Sequence, residues 1–149
     1  MVPSPNMSSD AATPPPDGLV RHHFDSGRVC CEVTYKDGQR QGPGRMFYTT
    51  GVLYATETYA DDALHGLTTT YYPTGVLQAE LHYAQGALDG AAKEYYDDGR
   101  LESVTEYRAG KRHGRCVVYD RAGNVEREER WEDGALVPPA AAPDAPPAG

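Results

Sequence analysis

Residues 76 to 83 alternate: Leu77, Ala79, Leu81 and Tyr83 fall on one side of a period of two, and Val76, Gln78, Glu80 and His82 fall on the other. That period is the signature of a half-buried β-strand with one packed face and one wet face. Similar stretches rich in Tyr, Val, Thr and Leu recur along the chain, separated by Tyr-Pro-Thr-Gly, Lys-Asp-Gly, Asp-Asp-Gly and Glu-Asp-Gly. These are hairpin signals. Two residues in a type I turn followed by a left-handed Gly make a three-residue loop with a bulge, and Pro73 and Gly75 suit its first and last positions. Such a loop sets Tyr71 against Leu77 on the packed face and Tyr72 against Val76 on the other. A two-residue loop would exchange the two faces.

The hairpins repeat with a fixed period. Gly18, Gly42, Gly66, Gly90 and Gly114 stand 24 residues apart with no insertion, and Gly27, Gly51, Gly75, Gly99 and Gly123 follow nine residues behind them. A third register runs through Gly38, Gly86, Gly110 and Gly134, with Asp62 in the second copy. Asp tolerates a left-handed backbone, so the register survives there. The aromatics keep the same spacing: Tyr35, Tyr59, Tyr83, Tyr107 and Trp131 form one series, and Phe47, Tyr71, Tyr95 and Tyr119 a second. Phe24, Tyr48, Tyr72 and Tyr96 form a third, which ends at Asp120. The expectation is an all-β protein, an elongated single-layer antiparallel meander of five 24-residue β-hairpins. The units are residues 18–41, 42–65, 66–89, 90–113 and 114–137, stabilised by stacked ladders of like residues. The fifth copy departs most, with Asp120, Arg127 and Glu129, as a polar terminal cap would.

Composition changes the picture at the ends. Residues 1–17 and 138–149 hold ten of the twelve prolines and no aromatic residue, so they are expected to be disordered tails unable to offset the entropy of ordering. The net charge is -8. The tails carry three aspartates and no base, which leaves -5 on the repeats. An acidic chain repels phosphate backbones and anionic headgroups, so nucleic acid is not an expected partner and charge disfavours membrane contact. No stretch approaches the ~18 to 20 continuous apolar residues of a spanning helix. The beginning of the chain lacks the basic start and apolar centre of a signal peptide. A cytoplasmic protein is expected.

Candidate chemistry is sparse. Cys30 and Cys31 lie in the first repeat and Cys116 in the last, about 33 Å apart at seven strand spacings, too far for a disulfide. Strict alternation would point Cys30 and Cys31 to opposite faces, a poor metal clamp. His65 and His113 share a repeat position two repeats apart and cannot share an ion. His82 reads as a solvated side chain beside Glu80. Glu126, Glu128 and Glu129 have no apolar surroundings to raise a pKa for acid–base work. No phosphate-binding loop and no nucleophile elbow occur, so the expectation is no enzyme, no cofactor and no metal.

Tyr83-Ala-Gln-Gly-Ala-Leu-Asp-Gly90 and Tyr107-Arg-Ala-Gly-Lys-Arg-His-Gly114 share the pattern aromatic-x-x-Gly-x-x-x-Gly, and Tyr-Tyr-x-x-Gly-x-Leu occurs from Tyr71 and again from Tyr95. In these motifs residues 18 to 137 resemble the MORN repeat family, in particular its bacterial variant. That resemblance implies a hairpin-repeat fold and a scaffold rather than a catalyst. It also implies either an antitoxin-like partner of a toxin or a module contacting phospholipid membranes. The residues themselves add one feature. In the three-residue loop Phe24, Tyr48, Tyr72 and Tyr96 become an exposed aromatic stripe, and tyrosine stripes favour binding because each ring offers rigid area with little entropy to lose. The expected partner is therefore another protein held on that stripe. In the two-residue loop the stripe would instead be Phe47, Tyr71, Tyr95 and Tyr119. Oligomeric state is left open by the sequence, with end-to-end pairing of exposed edge strands countered by charge and the proline tails.

Overall fold

Two kinds of tight turn, alternating along the chain, determine the architecture. Within each repeat the chain reverses through a three-residue loop: in the third copy Tyr72 N donates to Val76 O at 2.8 Å and Gly75 N to Tyr72 O at 2.8 Å. Gly75 sits at φ 90°, the left-handed position this loop requires. Between repeats the chain reverses through two residues, both at positive φ, as a type I′ turn demands. Asp37 and Gly38 adopt 50° and 78°, and Asp61 and Asp62 adopt 49° and 71°, so Asp does serve in the glycine's place.

The computed structural model describes residues 13 to 139. Its strands are β1 (Gly18–His23), β2 (Val29–Lys36), β3 (Gln39–Phe47), β4 (Leu53–Ala60), β5 (Ala63–Leu64) and β6 (Gly66–Tyr71). They continue with β7 (Leu77–Ala84), β8 (Ala87–Leu88), β9 (Gly90–Tyr95), β10 (Leu101–Arg108), β11 (Lys111–Tyr119), β12 (Val125–Glu132) and β13 (Ala135–Val137). All belong to one antiparallel sheet in which neighbours in sequence are neighbours in space. The fold is an all-β single-layer meander. β5 and β6 form one strand line interrupted at His65, and β8 and β9 another interrupted at Asp89. Each break stays paired, His65 N to Thr58 O and Asp89 N to His82 O, both at 2.8 Å. β13 is a short addition: it occupies the place of β5 and β8 at the end of the fifth unit, and Pro138 then stands where each repeat has its first Gly.

The disorder expected for residues 1–12 and 140–149 lies outside the described residues. Asp17, expected in the tail, is held: its carboxylate accepts from Asp37 N at 2.8 Å. Among the described residues no helix is long and apolar enough to cross a membrane.

The turn glycines differ in what surrounds them, and that separates two costs. A Cβ at Gly75 would meet nothing within 4 Å, so Gly75→Ala should cost only the left-handed backbone penalty, about 1 kcal/mol. At Gly114, φ 108°, a Cβ would run into the Glu106 carboxylate, which accepts from Arg115 N at 2.6 Å. Urea titration should show Gly114→Ala to be clearly the more destabilising; equal losses would contradict the assignment.

Candidate partner-binding face

A bulge in every repeat decides which side chains share a face. Thr70 pairs with Ala79 but Tyr71 pairs with Leu77, leaving Gln78 as an extra residue. The same slip isolates Cys30, Tyr54, Glu102 and Glu126. A bulge of this kind turns two successive side chains toward one side of the sheet. The Cys30 and Cys31 sulfurs are accordingly 3.9 Å apart, not on opposite faces as strict alternation requires. Beyond the bulge the faces are exchanged. Phe24 packs against Cys30, Cys31 and Val33, so the Phe24, Tyr48, Tyr72 and Tyr96 series lies on the face that carries most of the buried residues. Tyr71 and Tyr95 lie on the other face, the first beside Thr69 and the second donating to the Glu80 carboxylate at 3.2 Å. The three-residue loop is present, yet the bulge gives the face assignment expected of the two-residue loop.

The more buried face has a floor of small side chains: Cys31, Val33, Ala55, Thr68, Ala79, Ala92, Ser103, Thr105 and Cys116 are all buried. Tall rings flank it. Phe24, Tyr48, Tyr72 and Tyr96 stand at the hairpin side, and Tyr35, Tyr59, Tyr83, Tyr107 and Trp131 at the inter-repeat turns. Short residues between two rows of long ones make a groove running across the strands. Two adjoining depressions occupy it, one of roughly 360 Å³ floored by Thr70, Ala79 and Leu81 beside Tyr72, the next of roughly 220 Å³ over Ser103, Thr105 and Cys116. Glu94 and Glu102 line both.

The expected stripe is not freely exposed. Phe24, Tyr48, Tyr72 and Tyr96 are half-buried, and each tyrosine hydroxyl is spent on the next repeat. Tyr48 donates to Tyr71 O at 2.7 Å, Tyr72 to Tyr95 O at 2.7 Å and Tyr96 to Tyr119 O at 2.6 Å. Ring-on-ring ladders of like residues do not form; among the described residues the close aromatic pair is Tyr48 with Tyr54, 5.1 Å between centroids within one repeat. Where the series ends, Asp120 turns inward on its own loop, accepting from Ala122 N and Asn124 N at 2.9 Å. A second set of bonds links the turns. Gln41, His65, Asp89 and His113 each accept from a turn N–H twenty residues later, at Asp61, Gln85, Ala109 and Asp133, at 2.8 to 3.3 Å. This is the role of Asp17 as well, and it explains His65 and His113 without a metal. Sequence reasoning missed these caps, although a polar residue just before each leading Gly was visible. His82 is exposed as expected.

Arginines set the electrostatics. Glu32, buried on the opposite face, accepts from Arg21 at 3.1 Å and from Arg45 at 2.6 Å, and the hydrogen bonds from Arg45 hold its carboxyl below the usual range despite burial. Arg40 does the same for Asp62 at 2.7 Å while its guanidinium lies 4.4 Å from the centre of the Tyr59 ring. Arg121 and Arg112 cover Tyr96 and Trp131 in the same way, at 4.6 and 4.8 Å. Burial, with Cys30 alongside, pushes the Cys31 thiol up to about 12, which suits a packed thiol and not a nucleophile.

Residues 64–85 and 88–109 match the family model described as MORN repeat variant, two stretches starting one repeat length apart. Over these residues the chain carries MORN repeats. No curated protein matches it. Among solved structures the MORN-repeat chain is similar to a GtfA/B complex bound to UDP and GlcNAc, at 14% identity and a TM-score of 0.32, over 78% of this chain and 23% of that one. It is also similar to accessory secretory protein 1, 2 and 3 in Streptococcus pneumoniae, at 14% identity and a TM-score of 0.27, over 75% of this chain and 18% of that one. The MORN-repeat chain thus spans less than a quarter of the length of either.

Tyr72→Phe keeps the ring and removes one bond to Tyr95 O; it should cost roughly 0.5–1.5 kcal/mol in a denaturant titration, against almost nothing for Tyr71→Phe, whose hydroxyl has only a 3.4 Å contact with Thr69. A second expectation concerns acid. Because the folded Glu32 carboxyl is lowered, its contribution is complete above the ordinary carboxylate range and is lost as pH falls through the lowered value. Melting temperatures of the native chain and Glu32→Gln should therefore differ most near neutrality and converge in acid. A gap that stays constant across the acid range would refute the ion-pair account.

Proposed function

We propose that this MORN-repeat chain is a non-enzymatic binding scaffold whose groove receives an extended segment of another protein, acting in an antitoxin-like way by holding that partner. The observation that supports this reading is the floor of small residues between two rows of rings, continuous across the repeats. A peptide lying there could meet the rings of Tyr48 and Tyr72 on one side while their hydroxyls remain in the sheet. Glu94 and Glu102 line both depressions, and with the chain at -8 they favour a segment carrying Lys or Arg, which suits aromatic faces flanked by carboxylate. The raised Cys31 thiol and the carboxylates lowered by arginine fit a structural role for those groups better than a catalytic one.

The test is affinity capture from source-cell extract with quantitative mass spectrometry, run in parallel on the native chain, Glu102→Lys and Leu67→Ser. Glu102 lies in the groove and Leu67 is exposed on the other face. A groove-bound partner should drop by about tenfold with Glu102→Lys and persist with Leu67→Ser. Equal capture by all three, with circular dichroism unchanged, would remove the groove from consideration. Flotation with anionic vesicles that carries the native chain upward would replace the protein partner with lipid.

A further inference from the structure

The charges along one row of the sheet form a series whose two ends match each other. On the face opposite the groove, residues directly across from one another run Arg21, Glu32, Arg45, Thr56, Thr69, Glu80, Lys93, Val104, Val117 and Glu128. Wherever two charges adjoin in this row they are opposite in sign. The row begins with a cation and ends with an anion. Glu128 faces uncharged Val117 and finds only a diagonal partner, Arg115, at 2.6 Å. Glu32, one position from the other end, shows what such a carboxylate gains from arginines on both sides.

Both ends are also open edges. β13 pairs only with Arg130, Trp131 and Glu132, and Pro138 carries no N–H to extend the ladder. Among the described residues, the outward backbone groups of residues 125–129 have no neighbouring strand. At the other edge the segment before β1 lies beside the first inter-repeat turn, as β5 and β8 lie beside later ones: Asp17 binds Asp37 N at 2.8 Å, and Pro14 Cβ lies 3.4 Å from the place of a Gly38 Cβ. Among the described residues no strand pairs with the outer side of β1.

We propose that a second copy of this chain docks its β1 on the uncovered part of β12, in the register that joins successive repeats within one molecule. The internal pairs Ser103 with Val118, Val104 with Val117 and Thr105 with Cys116 translate by one or more repeats into Arg127 with His22, Glu128 with Arg21 and Glu129 with Val20 of the second copy. Arg21 then stands beside Glu128 as Arg45 stands beside Glu32. Arg127, which meets His22, is already neutralised by Glu129 at 2.9 Å. Symmetric alternatives bring strands of like net charge together: β12 carries four glutamates against Arg127 and Arg130, and β1 on β1 sets Arg21 and two histidines against their own kind. The favoured contact is heterologous and does not close, so it extends head to tail.

Sedimentation velocity of the full chain at low salt should show an average mass that climbs with concentration beyond two chains. Arg21→Glu and Glu128→Arg should each weaken association by about tenfold or more, and the two together should restore it. Circular dichroism and melting would verify that each variant is folded. Mixing an Arg21→Cys chain with a Glu128→Cys chain under oxidation gives a readout independent of charge: a 21-to-128 cross-link supports the register. A single chain at every concentration, a closed dimer indifferent to both charge swaps, or only 21-to-21 or 128-to-128 cross-links would overturn it.

Discussion

The hydrogen bond from a tyrosine hydroxyl to the backbone carbonyl of the next repeat is the contact on which this sheet depends. Identical positions in adjacent repeats are two strands apart, about 9.5 Å, which is too far for rings to stack at the ~4.5–7 Å they prefer. A phenol can reach across that gap where a phenyl ring cannot. Tyr48, Tyr72 and Tyr96 do so with the same geometry, and the caps from Gln41, His65, Asp89 and His113 repeat the device at the other end of the strands. Because both bonds join positions at a fixed offset, one inserted residue would break them. That accounts for five copies of 24 without an insertion. Asp120, at the same register as these tyrosines, instead closes its own loop.

A single layer has no second sheet to bury against, so its burial is distributed unusually. Most of the residues that become buried are small, such as Ala55, Ala79 and Ala92, with Tyr59 and Glu32 the large exceptions, because taller neighbours on the same face shade them. Most of the rings remain half-covered, with the hydroxyls of Tyr48, Tyr72 and Tyr96 tied down and arginines lying over Tyr59, Tyr96 and Trp131. Rigid, partly dehydrated aromatic area of this sort costs little further entropy on binding. The physics that makes the ribbon stable thus also leaves it with a groove.

The repeat length, the glycine registers, both turn positions and the meander were legible in the sequence, since each rests on local backbone requirements that Gly, Asp and Pro report directly. The face of each aromatic was not. Alternation read from Leu77 to Tyr83 places Leu77 with Ala79, but the extra residue Gln78 turns Leu77 to the side of Tyr71. Nothing in hydropathy distinguishes a bulge residue that is Cys in one copy, Tyr in another and Glu in a third. The caps were overlooked for a related reason: Gln41, His65 and Asp89 share no chemical class, only the ability to accept one hydrogen bond from a turn. Burial of Cys31 was legible in the repeat, because Ala55 and Ala79 occupy its register and all three are buried.

The order of the strands carries a mechanical corollary. The chain enters at one border of the ribbon and leaves at the other, so tension between its ends runs across the strands and loads their hydrogen bonds in peel, one line after another, rather than in shear. A unit torn from the border takes its own tyrosine and cap with it and leaves the interior unaltered, since contacts reach only to the adjoining repeat. Under a pulling force the molecule would yield as a train of small, nearly equal steps, and would lengthen without a single abrupt rupture.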